Sequence, residues 1–214
     1  MPLVLPRLYV ILDAALAPEP VTELADRLLA AGVRLFQYRD KAGSGGDVLR
    51  NSRRLADQLI SRGAMVVVND RPDIAWLAGA SGVHLGQDDL GAEDARAILG
   101  SSKLVGVSTH NREQFEVALA TSGDYLAVGP IFETGSKANP DPVVGTALLK
   151  KLRPLTERPI VAIGGITLER AKEVIEAGAD SVAVIGDILR APDPAERARQ
   201  FLQVLETPRT SMAT

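Results

Sequence analysis

Val66-Val67-Val68-Asn69-Asp70-Arg71-Pro72 decides how this chain folds. Three β-branched residues in succession make a strand buried on both faces, as in a parallel sheet covered by helices. The strand ends on Asn69 and Asp70, and Pro72 stands where a helix can begin, because its fixed φ suits the first helical position. One strand further on, Gly82-Val83-His84-Leu85-Gly86-Gln87-Asp88-Asp89 also runs from an apolar strand into acids. In a closed parallel barrel, adjacent strand ends point into one mouth, so two such carboxylates can hold one cation.

Outward from this pair the same rhythm continues. Upstream, strands are expected at Leu8–Leu12, Val33–Tyr38 and Met65–Val68, separated by helices over Pro20–Ala31 and Asp47–Arg62. Gly32 and Gly63 stop these helices. Downstream, the expected strands are Val83–Leu85, Leu104–Val107, Tyr125–Val128, Ile160–Ile163 and Ser181–Ile185. The helices between and after them are Pro72–Ala78, Ala92–Leu99, Arg112–Thr121 with Asn111 as its cap, Thr146–Leu155, a helix capped by Thr167 that ends at Ala177, and Ala195–Leu205. A longer loop spans Gly129–Gly145. Eight strands alternating with eight helical stretches imply right-handed crossovers and favour a single (β/α)8 TIM barrel, an α/β fold, over an open sheet. One domain is expected over residues 1–206, with 207–214 as a loose tail.

The bulk properties fit. The chain has 214 residues, 46% of them hydrophobic and 24% charged, with a net charge of −3. This argues against broad nucleic-acid or membrane-surface binding. No run reaches the roughly 18 apolar residues of a membrane span. No cationic flank precedes the first apolar run, so a secretory signal is not expected and the cytoplasm is the default location. The absence of cysteine removes disulfides, thiolate metal sites and thiol nucleophiles, and two histidines, His84 and His110, are too few for a His-rich zinc site. A homo-oligomer is compatible with the composition.

In a barrel the loops after the strands form the active face. After the second strand come Gln37, Arg39 and Lys41, alternating so as to share one face. Asn69 and Asp70 follow the third; Gln87, Asp88 and Asp89 the fourth; Ser108, Thr109 and His110 the fifth. Thr134, Ser136 and Lys137 follow the sixth, Gly164 and Gly165 the seventh, Gly186 the eighth. Hydroxyls, Arg and Lys suit phosphate oxygens. Carboxylates suit them only with a metal between, and Mg2+ binds through one or two carboxylates plus phosphate oxygens and water. The set therefore reads as a Mg2+–diphosphate receptor. Gly164, Gly165 and Gly186 suggest a second anion site, where backbone N–H groups approach a phosphate. Two anion sites on one mouth suggest two substrates.

Each feature also has a plainer reading. Asp70-Arg71 reads equally as an exposed turn ion pair. Asp88 reads best as a cap of the following helix. Gln37, Arg39 and Lys41 read alternatively as a solvated strand end, and Gly164 as a tight turn. His84 reads as a hydrogen-bonded core or rim residue, His110 as a cap or rim residue, and Trp76 as packing. The functional reading rests on convergence upon one face.

Several motifs occur in order: Gln37-Tyr38-Arg39-Asp40-Lys41, Asn69-Asp70-Arg71, Val83-His84-Leu85-Gly86-Gln87-Asp88-Asp89, Gly106-Val107-Ser108-Thr109-His110, Gly129-Pro130-Ile131-Phe132-Glu133-Thr134-Gly135-Ser136-Lys137, Ala138-Asn139-Pro140-Asp141-Pro142-Val143-Val144-Gly145 and Ala162-Ile163-Gly164-Gly165-Ile166. With this ordered set the chain, from about Leu8 to Ile185, closely resembles the thiamine-phosphate synthase (thiamine-phosphate pyrophosphorylase) family.

The resemblance implies a Mg2+-assisted transferase. It would join 4-amino-2-methyl-5-hydroxymethylpyrimidine diphosphate to 4-methyl-5-(2-phosphoethyl)thiazole, or its carboxylated precursor, releasing diphosphate. Carried over by position, Asp70 and Asp89 look like the metal ligands. Gln37, Arg39, Lys41, Asn69, Ser108 and Lys137 look like the pyrimidine-diphosphate contacts. Thr134, Gly135, Ser136, Gly165, Ile185 and Gly186 look like the thiazole-phosphate contacts. The implied reaction is dissociative: diphosphate departs, and the thiazole nitrogen captures a pyrimidine-methyl cation. Loops Ala42–Gly46 and Pro130–Val144 are then candidate lids against water. Two departures stand out. Ser136 replaces a threonine common among relatives, and Gly186-Asp187 replaces a Ser-Ala pair, so a hydroxyl is lost and an acid gained near the proposed phosphate. Thiazole tautomerases resemble this chain but lack the acid pair and tend to carry His at the position of Pro130. A non-catalytic ligand-binding regulator would be marked by loss of the acids or cations. Phosphate-binding isomerase barrels lack this motif order.

Overall fold

The computed structural model describes residues 3–135 and 141–206. Its strands are β1 (Leu8–Asp13), β2 (Leu35–Arg39), β3 (Met65–Asn69), β4 (Gly82–Leu85), β5 (Leu104–Thr109), β6 (Tyr125–Val128), β7 (Ile160–Ile163) and β8 (Ser181–Val184), all parallel and closed in sequence order. Closure comes from β8 against β1, with Leu8 opposite Val182 and Val10 opposite Val184. Around them lie α1 (Val21–Ala30), α2 (Gly45–Ile60), α3 (Pro72–Leu77), α4 (Ala92–Leu99), α5 (Arg112–Leu119), α6 (Gly145–Leu152), α7 (Leu168–Glu176), α8 (Gly186–Leu189) and α9 (Pro194–Glu206). This is the (β/α)8 barrel that the alternation predicts.

Strand periodicity of two builds two cores. Leu8, Val10 and Leu12 of β1, Phe36 and Tyr38 of β2, and Val66 and Val68 of β3 face the helices, where they meet Leu24 and Leu28 of α1 and Leu55 and Leu59 of α2. The alternate residues Tyr9, Ile11, Leu35, Val67, Tyr125, Ala127, Val161 and Ala183 fill the barrel axis. Each fully buried large aliphatic side chain contributes about 1.5–3 kcal/mol, so the outer layer dominates stability. The axis carries polar groups toward one end because the same parity continues from Ile11 to Asp13, from Leu35 through Gln37 to Arg39, and from Val67 to Asn69. Among the described residues no helix is long and apolar enough to cross a membrane.

Several local expectations are corrected. The second helix begins at Gly45, two residues before the expected start, because Ser44 accepts a hydrogen bond from Asp47 N–H and caps it. Gly45 and Gly46 are thus helical rather than part of a lid, while Gly43 N–H donates to Asp40 Oδ1 at 2.7 Å. The strand expected through Ile185 stops at Val184, and Ile185 leads into α8. That four-residue helix is too short to show a periodicity in sequence. Asp88 does not cap α4, which starts three residues after Asp89 beyond Gly91. The Thr167 hydroxyl does not cap α7; Leu168 N–H donates to Asp187 Oδ2 instead, at 3.2 Å. Trp76 is 54% exposed, so packing is not its role. Asn111 does cap α5, accepting from Gln114 N–H at 2.8 Å. The tail 207–214 lies outside the described residues.

Candidate active site

A cavity of about 820 Å3 opens at the carboxyl ends of the strands. Gln37, Arg39, Lys41, Asn69, Asp70 and Asp89 line one part of it. Ser108, Thr134, Gly135, Gly165, Ile185 and Gly186 line the rest. Ser136 and Lys137, also expected here, lie outside the described residues.

The Asp70 and Asp89 carboxyls line the same cavity, and Asp70 is near enough to act on the charge of Asp89. Burial raises the Asp89 carboxyl above its ordinary range, the Gly86 N–H opposes this, and the neighbouring Asp70 pushes it further up. Gly86 N–H donates to Asp89 Oδ2 at 2.7 Å, which fixes the carboxylate at the turn after β4. Asp70 is held differently. Among the described non-glycine residues it alone has a positive φ, +63°, and its N–H donates to His84 O at 2.8 Å. A non-glycine residue in the left-handed region is strained and persists where its surroundings over-determine it, commonly at functional sites. Lys41 Nζ already pairs with Asp70 Oδ2. Two clustered carboxylates that draw a cation suit a divalent ion needing few protein ligands. Among the described residues no group of three or more His, Cys, Asp or Glu side chains gathers at one point.

Arg39 is positioned by Asp13, which carries no motif in the sequence. Asp13 is 3% exposed at the end of β1, forms an ion pair with Arg39 Nη1, and accepts from Ala15 N–H at 3.0 Å. The available signal was parity: Asp13 continues the inward series Tyr9, Ile11. The Asp13 pair holds the guanidinium at the mouth, in the cavity that Lys41 and Asn69 also line.

Behind the cations the axis is polar. His84 is buried as expected of a core histidine, with Nδ1 at 3.0 Å from Tyr125 OH and Nε2 at 2.8 Å from Ser108 Oγ. Burial pushes its imidazole down to about 4, with Asp89 acting the other way, so it is neutral at pH 7. Gln37 is 2% exposed and donates through Nε2 to Tyr9 OH at 3.0 Å. At the rim His110 Nδ1 donates to Gly129 O at 2.6 Å.

The far side is built from backbone. Gly165 has φ +62°, and a Cβ there would lie 2.2 Å from Glu133 O, so only glycine lets the chain pass. Gly164 serves the turn: its carbonyl accepts from Phe132 N–H at 3.0 Å, while Ile131 N–H donates to Ile163 O at 2.8 Å. Gly186 opens α8, with Ile185 preceding it. Asp187 is turned onto the first turn of α7 and lies 3.6 Å from Arg197 Nε. Its charge is thereby engaged, while the residue still lines the cavity. Arg190, one turn beyond Gly186, also reaches the cavity, as does Arg170, whose guanidinium sits 4.5 Å over the Phe132 ring. Neither was singled out from sequence, since an Arg on a helix carries no signal before the helix is placed.

Comparison with known proteins bears on the family and the fold. A family model described as thiamine monophosphate synthase matches residues 8–188. A thiamine-phosphate synthase of Koribacter versatilis is 52% identical, over 95% of this chain and 97% of the relative. One from Agrobacterium fabrum is 42% identical, over 94% of each. A solved thiamine phosphate pyrophosphorylase from Pyrococcus furiosus superposes with a TM-score of 0.85 at 31% identity, covering 94% of this chain and 95% of that one.

Proposed function

The chain belongs to the thiamine monophosphate synthase family, and on that premise we propose how its barrel mouth performs the family's reaction. The activity is that of a transferase acting on two small substrates, a pyrimidine diphosphate and a thiazole phosphate, to give thiamine phosphate and diphosphate. The bond between the pyrimidine methylene carbon and the diphosphate oxygen breaks, and its electron pair leaves with the diphosphate. The thiazole ring nitrogen then forms the new bond to that carbon. No proton has to be removed, so no general base is needed. This suits a mouth whose one buried histidine is neutral and committed to hydrogen bonds.

The protein's task is charge. Negative charge develops on the departing diphosphate, and preorganised cations stabilise it best where water is excluded. Arg39, held by Asp13, and Lys41 stand at that end of the cavity, and Lys137 joins them by resemblance. Asp70 and Asp89 would hold Mg2+, which when bound neutralises phosphate oxygens and favours their departure. Gln37, Asn69 and Ser108 receive the pyrimidine. Thr134, Gly135, Ser136, Gly165, Ile185 and Gly186 receive the thiazole phosphate largely through backbone N–H groups, with Arg190 as added positive charge. The neighbouring carboxyls of Asp70 and Asp89, with Lys41 paired to the first, support this reading most directly.

The test is to mix the two phosphorylated heterocycles with and without Mg2+. Thiamine phosphate is expected only with the ion. Its absence under both conditions would overturn the assignment, and equal formation in EDTA would overturn the metal.

A further inference from the structure

Two residues proposed to receive the pyrimidine, Gln37 on β2 and Ser108 on β5, stand on different walls of the mouth. A continuous chain of hydrogen bonds through the barrel axis joins them. Gln37 Nε2 lies 3.0 Å from Tyr9 OH, and Tyr9 OH lies 3.2 Å from Tyr125 OH. Tyr125 OH lies 3.0 Å from His84 Nδ1, and His84 Nε2 lies 2.8 Å from Ser108 Oγ. Tyr9 and Tyr125 are 1% exposed, and their rings meet edge to face. Gly106 makes room for this arrangement, since a Cβ there would fall 2.1 Å from Tyr125 Cζ.

We propose that this chain is a directional relay coupling Gln37 to Ser108, so that the mouth always offers one hydrogen-bond donor and one acceptor from its two ends, with Tyr9, Tyr125 and His84 as the positioning residues that enforce it. The inference rests on the pyrimidine reading of Gln37 and Ser108 and deepens it.

Hydrogen accounting carries the argument. The two phenols and the neutral imidazole supply one hydrogen each, but four links need filling. The fourth must come from one end. If Gln37 supplies it, every link points toward Ser108. His84 then carries its proton on Nε2, the Ser108 hydroxyl hydrogen is left to point into the mouth, and Gln37 presents Oε1. This is the direction drawn by the Nε2 contact of Gln37. If Ser108 supplies it, all links reverse, His84 is protonated on Nδ1, and Gln37 presents its NH2. Any mixed arrangement leaves either a buried hydroxyl hydrogen without an acceptor or one link with two acceptor atoms facing each other and no hydrogen between them. The middle of the chain is neutral: both ring nitrogens of the buried His84 face hydroxyls rather than carboxylates, and burial pushes the Tyr9 phenol up to about 12. The matching ligand edge carries one donor and one acceptor, as an aminopyrimidine does with its exocyclic amine and ring nitrogen.

Nitrogen-15 NMR of the His84 ring tests this without turnover. The wild-type protein is expected to show the neutral Nε2–H tautomer. Gln37→Glu at pH 8, offering only acceptors, is expected to switch His84 to Nδ1–H, and adding Tyr125→Phe is expected to abolish that switch. A wild-type Nε2–H tautomer that Gln37→Glu leaves unchanged, or an Nδ1–H tautomer that Ser108→Ala leaves unchanged, would overturn the relay. Kinetically, Tyr125→Phe, or Tyr9→Phe should the first fail to fold, is expected to raise KM for the pyrimidine diphosphate about tenfold. The KM of the thiazole phosphate should stay unchanged and kcat should fall less than about threefold. An equal rise in both KM values would show a merely structural role and reject the proposal. If wild-type protein forms no thiamine phosphate, the functional reading fails, while the tautomer spectra still decide the relay.

Discussion

Replacing Asp70 with Asn and with Ala separates the charge at this position from its backbone geometry. Asp70 sits at φ +63°, a region that costs most L-residues about 1–2 kcal/mol and that Asn tolerates better than Ala. Its pair with Lys41 is half-exposed on the lysine side, 54% against 18%, and is worth at most about 1 kcal/mol. Removing the charge also relieves repulsion with Asp89. These small terms oppose each other in Asp70→Asn, so the metal-free Tm should move by no more than about 2 °C. Asp70→Ala adds the backbone penalty and should melt about 2–4 °C lower than the Asn variant. Activity should fall in both by about 10²–10³-fold, the cost of losing one preorganised charge-stabilising group. The assays are thermal melts in EDTA and in Mg2+ plus diphosphate, alongside thiamine phosphate formation. Wild-type protein should gain stability from Mg2+ plus diphosphate by mass action, and both variants should lose that gain. An Asn variant retaining more than about a tenth of wild-type turnover, or the full gain, would refute the reasoning.

Other outcomes follow from single contacts. Asp13→Asn removes the charge that tethers Arg39 and should raise KM for the pyrimidine diphosphate severalfold while leaving that for the thiazole phosphate unchanged; steady-state kinetics with each substrate varied decides it. Ser52 is fully buried on α2 and its Oγ has no hydrogen-bond partner, so Ser52→Ala should raise stability by about 1 kcal/mol, read by urea titration. His84 is pushed from an ordinary 6.5 down to about 4, so protonation favours the unfolded chain. Its contribution to stability is full above 6.5 and is lost as pH falls toward 4, amounting to roughly 3 kcal/mol across that window. Chemical denaturation of wild-type and His84→Gln proteins between pH 7 and 4 should show that slope in the first and a shallower one in the second.

The barrel and the acid pair were legible because they depend on local patterns. Val66-Val67-Val68 reads as a doubly covered strand on its own, and Asp70 and Asp89 close successive strands. What lay hidden depends on closure. Tyr9 and Tyr125 stand 116 positions apart and touch only because the first and sixth strands face the same axis. Asp13 follows an apolar run and carries no local signal, and its pairing with Arg39 follows only once β1 lies beside β2. The capping of α7 moved from Thr167 to Asp187 because a carboxylate from the next unit reaches the Leu168 N–H, a tertiary contact that no local cap rule contains. Residue type alone points Trp76 to packing, but a six-residue helix buries Pro72, Ile74 and Ala75 and leaves the indole outward.

The seam between the first and last strands bears on how the chain is made. Val182 N–H donates to Arg7 O at 2.8 Å, and Leu8 lies opposite Val182. A ribosome releases Leu8 long before Val182, so in that interval β1 has a neighbour on one side only. Its other row of backbone amides and carbonyls is an exposed edge open to pairing with another chain. Truncations ending before Ser181 should therefore aggregate during translation, and appending the missing C-terminal segment in trans should rescue them.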